Sequence, residues 1–270
     1  MGHIFEWALP RAGVPQTRQN EGTFSRYREE TPVDALVIGV LGGLGPWATL
    51  DFFEKLLRES PARRDQDHFR ILIDDNPKIP DRTPAILGRG EDPTPALIAT
   101  ARNLERAGAS FLVIPCNTAH AFYEPIQAAV SIPVLHIMEE VAAAARSEVK
   151  DLTTVGVLAT IGTLHAQLYH RVFARRDITV LVPPPADQKL VDRGIYQVKA
   201  GEMGPEVTRP LVSVAEGLIA RGAQALVLGC TELPFVLKSP HVSVPLLDSN
   251  LVLARAAVRA AMAPPPVRTL

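Results

Sequence analysis

Six short runs along the chain are apolar at almost every position. They are LVIGVLGG (36–43), RILIDD (70–75), FLVIPC (111–116), TVGVLA (154–159), ITVLVP (178–183) and ALVLGC (225–230). All are short and β-branched, and none shows the alternation of a half-solvated strand. Runs of this kind are read as strands of a parallel sheet with both faces covered by helices. The stretches between them carry a helical period. In TLDFFEKLLRE (49–59), Phe53, Leu56 and Leu57 form one apolar side while Glu54, Lys55 and Arg58 face out. PTPALIATARNLERAG (93–108) opens on prolines and closes on glycine, the asymmetry usual at helix ends. Strands alternating with helices predict a doubly wound α/β architecture.

The pattern also repeats. LERAGASFLVIPCNT (104–118) lies over LIARGAQALVLGCTE (218–232), IGVLGGLG (38–45) over VGVLATIG (155–162), and IPVL (132–135) over VPLL (244–247). The offsets are 114, 117 and 112 residues, in one order and at nearly one spacing. Three blocks in register predict two similar α/β halves. The expected division is a first domain of residues 35–136 plus 249–264 and a second of residues 137–248. Residues 1–34 show no period and are expected to form a poorly ordered extension.

Composition narrows the classes of function. The 270 residues are 47% hydrophobic and 21% charged with a formal net charge of -1, which gives no support for a nucleic-acid or anionic-membrane partner. No apolar stretch reaches the roughly 18 residues of a membrane span. The first 35 residues are strongly charged and lack the apolar region of a secretory signal, so a cytoplasmic setting is expected. Two cysteines are too few for a disulfide scaffold, and free thiols are expected in a reducing compartment.

Those two cysteines carry the chemistry. Cys116 in VIPCNTAH and Cys230 in VLGCTELP each end an apolar run and precede polar residues, at equivalent places in the repeat. Ligands of open α/β sheets bind beyond the carboxyl ends of the strands. If the halves face each other about a pseudo-twofold axis, the thiols come from opposite walls of one cleft. A thiolate base and a thiol acid on opposite faces of one carbon are what a racemase needs to remove and replace a proton. The NT and TE that follow are expected to begin helices, whose N–H donors would lower a thiol pKa. A lone cysteine at a strand end is usually packing; two at equivalent positions shift the balance.

From about residue 37 to 262 the sequence resembles the aspartate/glutamate racemase superfamily, and its cofactor-independent aspartate racemases most of all. The matching stretches are GVLGGLGPWAT (39–49), RDQDH (64–68), NPKIPDRT (76–83), ILGRGEDP (86–93), PCNTAH (115–120), LATIGT (158–163), GIYQVKAG (194–201) and GCTE (229–232). The resemblance implies a two-domain fold with the site between the halves, a homodimer, no cofactor and a small acidic amino acid as substrate. It places the catalytic thiols on Cys116 and Cys230. It assigns substrate binding to Asn117 and Thr118 on one wall and Thr231 on the other, and to the cationic pair Arg82 and Lys199. Gly45, Thr49, Thr160 and Glu232 complete the set. Arg at position 82 points to aspartate, since glutamate-type relatives are uncharged there. Glu232 stands where bacterial glutamate racemases have histidine, and could tune the thiol, bind the substrate ammonium or serve a helix dipole.

Other readings remain. GLGPWA (43–48) fits a dinucleotide fingerprint, but Asp74 lies 26 residues past Ala48 and Pro46 removes an N–H that a pyrophosphate would use. The glycines are better explained as a tight turn. The seven histidines show no metal-ligand spacing, and His120, four residues past Cys116, is expected to point into the fold. A glutamate or broad-range racemase, a hydantoin racemase, a maleate isomerase and a non-enzymatic amino-acid-binding protein are the alternatives.

Overall fold

The computed structural model describes residues 36–263, so the extension expected at residues 1–34 lies outside the described residues. In order, the elements are β1 (Ile38–Gly42), α1 (Pro46–Glu59), β2 (Ile71–Asp75), α2 (Arg82–Ile86), α3 (Thr94–Arg106), β3 (Phe111–Val113), α4 (Tyr123–Ala128) and α5 (Ile137–Glu148). There follow β4 (Thr154–Leu158), α6 (Ile161–His165), α7 (Leu168–Ala174), β5 (Thr179–Leu181), α8 (Pro185–Lys199), α9 (Pro205–Ala220), β6 (Ala225–Leu228), β7 (Leu246–Asp248) and α10 (Ser249–Met262). The strands form two parallel sheets, ordered β2-β1-β3 and β5-β4-β6-β7. Each of the six apolar runs is a strand, and the α/β class expected from their alternation is the one observed.

Pairing follows the repeat residue by residue. Gly39 lies opposite Leu112 in the first sheet, and Gly156 lies opposite Leu226 in the second. The N–H of Leu112 donates to the Pro133 carbonyl at 2.8 Å, and that of Leu226 to the Pro245 carbonyl at 2.9 Å. Thus IPVL and VPLL do one job beside the strand that precedes each cysteine. The two leucines of VPLL open β7, whereas IPVL makes a single bridge between Leu112 and Val134.

The core is continuous across both sheets. Val40 and Val113 of the first sheet, Val157 and Val227 of the second, and Phe52, Val141, Tyr169 and Leu253 of α1, α5, α7 and α10 form one buried cluster. A second cluster lies under α8 and α9, and a third under α3 and α4. Each sheet therefore has outer helices of its own and shares the central ones. Among the described residues no helix is long and apolar enough to cross a membrane.

Two local expectations change. The buried face of α1 is Ala48, Phe52 and Leu56, while Phe53 and Leu57 are only partly covered. Lys55 does not face solvent: its ammonium lies 2.5 Å from Asp51 and 2.7 Å from Asp248 at the start of α10. A distant acid recruits it, which no local period reports. The run at β2 is also not covered on both faces, because it is the edge of its sheet and Ile73 is 40% exposed.

Close packing at the repeat gives a stability test. A Cβ at Gly156 would stand 2.6 Å from Leu226 Cδ2 and 3.2 Å from Ala223 Cβ. Gly156→Ala is expected to cost about 1–3 kcal/mol through overpacking. Trimming Leu226 to Val in the same chain is expected to return part of that cost, read as non-additive midpoints in urea denaturation.

Candidate active site

The residues singled out by chemistry gather at the carboxyl ends of the strands, where the backbone leaves the sheet. Cys116 lies three residues beyond β3 and Cys230 two beyond β6. Both are free and buried, at 6% and 5% exposure. The helices expected after them are single 3-10 turns, Thr118–Phe122 and Leu233–Phe235. The N–H donors near each thiol therefore come from a tight turn and not from a full helix dipole. His120 turns into the fold, as expected. Its Nε2 accepts from the Ile137 N–H at 3.2 Å and its Nδ1 donates to the Cys116 carbonyl at 2.9 Å. Burial, then neighbouring His136, lowers its pKa to about 3, which keeps the ring neutral in this clamp.

Side chains from the two halves meet directly. The hydroxyls of Thr118, Thr160 and Thr163 form a buried triangle with edges of 3.0, 2.9 and 3.1 Å. Thr231 Oγ1 lies 3.3 Å from the Pro115 carbonyl and 3.4 Å from Glu232 Oε2, tying the segment around one cysteine to the other. Asn117 does not cap a helix. Its amide donates to Ser249 Oγ and its carbonyl accepts from the Tyr169 hydroxyl, which leaves one amide hydrogen for any ligand.

Beside these contacts lies a cavity of about 310 Å³, bordered by the glycine turn after β1, the Pro77–Arg82 segment, Lys199 and Glu232. The turn needs glycine at position 43, where φ is +83° and any Cβ would strike the backbone of Asn76. Thr49 holds this turn, accepting from the Gly43 N–H at 2.9 Å and donating to the Gly45 carbonyl at 3.2 Å. It borders the cavity only through the loop it fixes. Gly45 reaches the cavity itself, and a Cβ there would lie 3.4 Å from Glu232 Oε1.

The charges around the cavity are unevenly matched. Arg82 is 6% exposed, and its fork rests on the carbonyls of Ile79, Pro80 and Leu44. Its Nε–H is buried without a partner. Neither Arg82 nor Lys199 is in an ion pair among the described residues. Burial pulls the Lys199 ammonium down, yet the negative charge of Glu232, and of either thiol once ionised, leaves its pKa raised. Glu232 is 2% exposed. Its Oε2 accepts from the Cys230 thiol at 3.0 Å, and its Oε1 is buried with no partner. Burial first, and that carboxylate second, push the Cys230 thiol well above its ordinary value. A carboxylate, a guanidinium and an ammonium thus line one cavity, and among the described residues none of them is in an ion pair.

Five participants escape a reading of the sequence, Thr163 of the hydroxyl triangle among them. Tyr196 donates to Asp81 Oδ2 at 2.9 Å, and Lys199 lies 5.3 Å over its ring, so the tyrosine touches two residues of the cavity wall. Asp81 also caps α2 through the Thr83 N–H, so a cap signal immediately before Arg82 could have found it. Tyr169 and Ser249 have no local signature. Among the described residues no group of three or more His, Cys, Asp or Glu could hold a metal ion.

Comparison with known proteins agrees with this geometry. Residues 41–257 match the family model described as Asp/Glu/Hydantoin racemase. The chain is 30% identical over 229 residues to the broad specificity amino-acid racemase RacX of Bacillus subtilis (strain 168), covering 82% of this chain and 96% of the relative. It superposes on the Picrophilus torridus aspartate racemase with a TM-score of 0.72 at 28% identity, over 84% of this chain and 94% of the other. An aspartate racemase homologue from Pyrococcus horikoshii OT3 gives 0.66 at 25% identity, over 84% and 99%. Sheets, paired cysteines and relatives converge: the chain belongs to the Asp/Glu/hydantoin racemase family.

Proposed function

We propose that the protein interconverts the enantiomers of an acidic amino acid, aspartate above all, with Cys116 and Cys230 exchanging a proton at Cα. The observation that carries this reading is the equivalent placement of the two cysteines just beyond β3 and β6, with Cys230 hydrogen-bonded to Glu232 in the wall of a cavity that Arg82 and Lys199 also line. On this reading residues 35–136 with 249–264 form one wall and residues 137–248 the other. The reaction needs no redox change. One thiolate takes the α-proton, the thiol opposite gives one to the other face of the carbanion, and the two exchange states. In the resting enzyme Cys230 is the acid, since burial and Glu232 keep it protonated. Cys116 is then the base for one enantiomer, and the roles reverse for the other.

Each unmatched group has a partner on such a substrate. Arg82 and Lys199 both stand in the cavity wall, a planar guanidinium and a compact ammonium suited to carboxylates. Glu232 Oε1 can receive the substrate ammonium, and the triangle of threonine hydroxyls can open toward a carboxylate. Arg82 is anchored by three carbonyls, so its fork is set for one distance from Cα. Aspartate is one methylene shorter than glutamate, and a rigid fork discriminates between them. The likeness to RacX favours a second reading, a wider substrate range on the same two thiols. Incubation with each amino acid in D₂O, followed by NMR of the α-proton, separates the two.

Three outcomes are expected. Cys116→Ser and Cys230→Ser should each abolish net racemisation, and near wild-type turnover in either would refute the two-base reading. Arg82→Gln should lower kcat/KM for aspartate by roughly 10²-fold or more, because a broken buried charge pair typically costs several kcal/mol. Glutamate should suffer less, and equal losses for both would remove the specificity argument. Glu232→Gln withdraws the negative charge that raises the Cys230 pKa, so that pKa should fall. Iodoacetamide labelling of Cys230, followed against pH in a Cys116→Ser background, should then begin at lower pH; an unmoved profile would show that the carboxylate does not act on the thiol.

A further inference from the structure

Two buried side chains outside the cavity touch the backbone or side chains around both cysteines. Ser249, the first residue of α10, donates through its hydroxyl to the Leu228 carbonyl at 2.7 Å. The same oxygen accepts from the Asn117 amide at 2.9 Å. Leu228 ends β6 two residues before Cys230, and Asn117 directly follows Cys116. Tyr169 of α7 makes a parallel connection. Its hydroxyl donates to Asn117 Oδ1 at 2.6 Å, and its ring packs on Gly229, where a Cβ would stand 2.9 Å from Cε2. Tyr169 and Ser249 are both 0% exposed, and Asn117 is 2% exposed.

We propose that Ser249 and Tyr169 are positioning residues that set the separation of the two thiols. Each spans from the residue after one cysteine to the strand end before the other. The hydrogen bonds run in one direction, from tyrosine hydroxyl to Asn117, from Asn117 to serine, and from serine to the Leu228 carbonyl. That direction also fixes which way the Asn117 amide faces. Both side chains are fully buried, with every hydroxyl contact made to the protein itself. Their effect is on geometry alone, and geometry is demanding here: two groups must address opposite faces of one carbon, and a displacement near 1 Å can cost about 10²-fold in rate. The gap could not be held by local structure, because each cysteine sits in an irregular segment after its strand.

The proposal rests on the reading that both thiols are catalytic, and its test has an arm that does not. Ser249→Ala and Tyr169→Phe each delete one hydroxyl, Ser249→Thr keeps one, and Leu218→Ala is a core truncation at the far end of the second sheet. Alkylation of Cys116 and Cys230 by iodoacetamide is followed by peptide mass spectrometry, beside melting temperature. In Ser249→Ala both thiols should change rate by roughly fivefold or more, and Leu218→Ala should leave them near wild type even if it melts lower. Racemisation of aspartate should lose about tenfold or more in kcat with KM within threefold, and Ser249→Thr should recover most of it. Thiol rates unchanged in both hydroxyl deletions, or matched by Leu218→Ala, would overturn the proposal. A wild-type protein that exchanges no α-proton would refute the functional reading, while the alkylation rates would still decide the spacing claim.

Discussion

A buried carboxylate, a buried guanidinium and an ammonium line one cavity, and among the described residues none of the three is in an ion pair. Desolvated charges of this kind are costly unless something answers them. The fold tolerates them because each is anchored from behind: Arg82 by three carbonyls, and Glu232 by the Cys230 thiol with Thr231 nearby. All three residues contribute to the cavity wall. The rest of the site serves this arrangement. The glycine turn brings backbone close without side chains, Thr49 locks that turn, and the threonine triangle closes the seam between halves.

The family places this chain among amino-acid racemases, and its own residues set the electrostatics around Cys230. Resting Cys230 is coupled to a carboxylate that resists its ionisation, while Lys199 nearby favours it. A ligand that neutralises Glu232 and engages Lys199 changes both influences at once. Charge in the cavity and protonation of Cys230 are therefore linked through Glu232 and Lys199.

Much of this was legible in the sequence. The strands could be read because parallel sheets demand apolar residues on both faces, and the cysteines because the repeat placed them at equivalent ends. Other features had no local trace. Lys55 reads as a surface lysine until Asp248 turns it inward. Asn117 and Thr49 read as ligand contacts, yet they spend most of their hydrogen-bonding capacity on the protein itself. Tyr169 and Ser249 meet Asn117 from 52 and 132 positions away, and only the assembled fold brings them there. Period and composition report which face a residue shows, not which distant partner it finds.

The shared core has a consequence for traffic. Helices α5, α7 and α10 pack in one cluster with strands of both sheets, so a hinge that parted the halves would split this core open. Exposing that much apolar surface is expensive. The Pro77–Arg82 segment and the first turn of α1, with Trp47 46% exposed, border the cavity and stand outside that cluster. Parting the halves is therefore the costly way to change the cavity, whereas the rim can shift without opening the core to water.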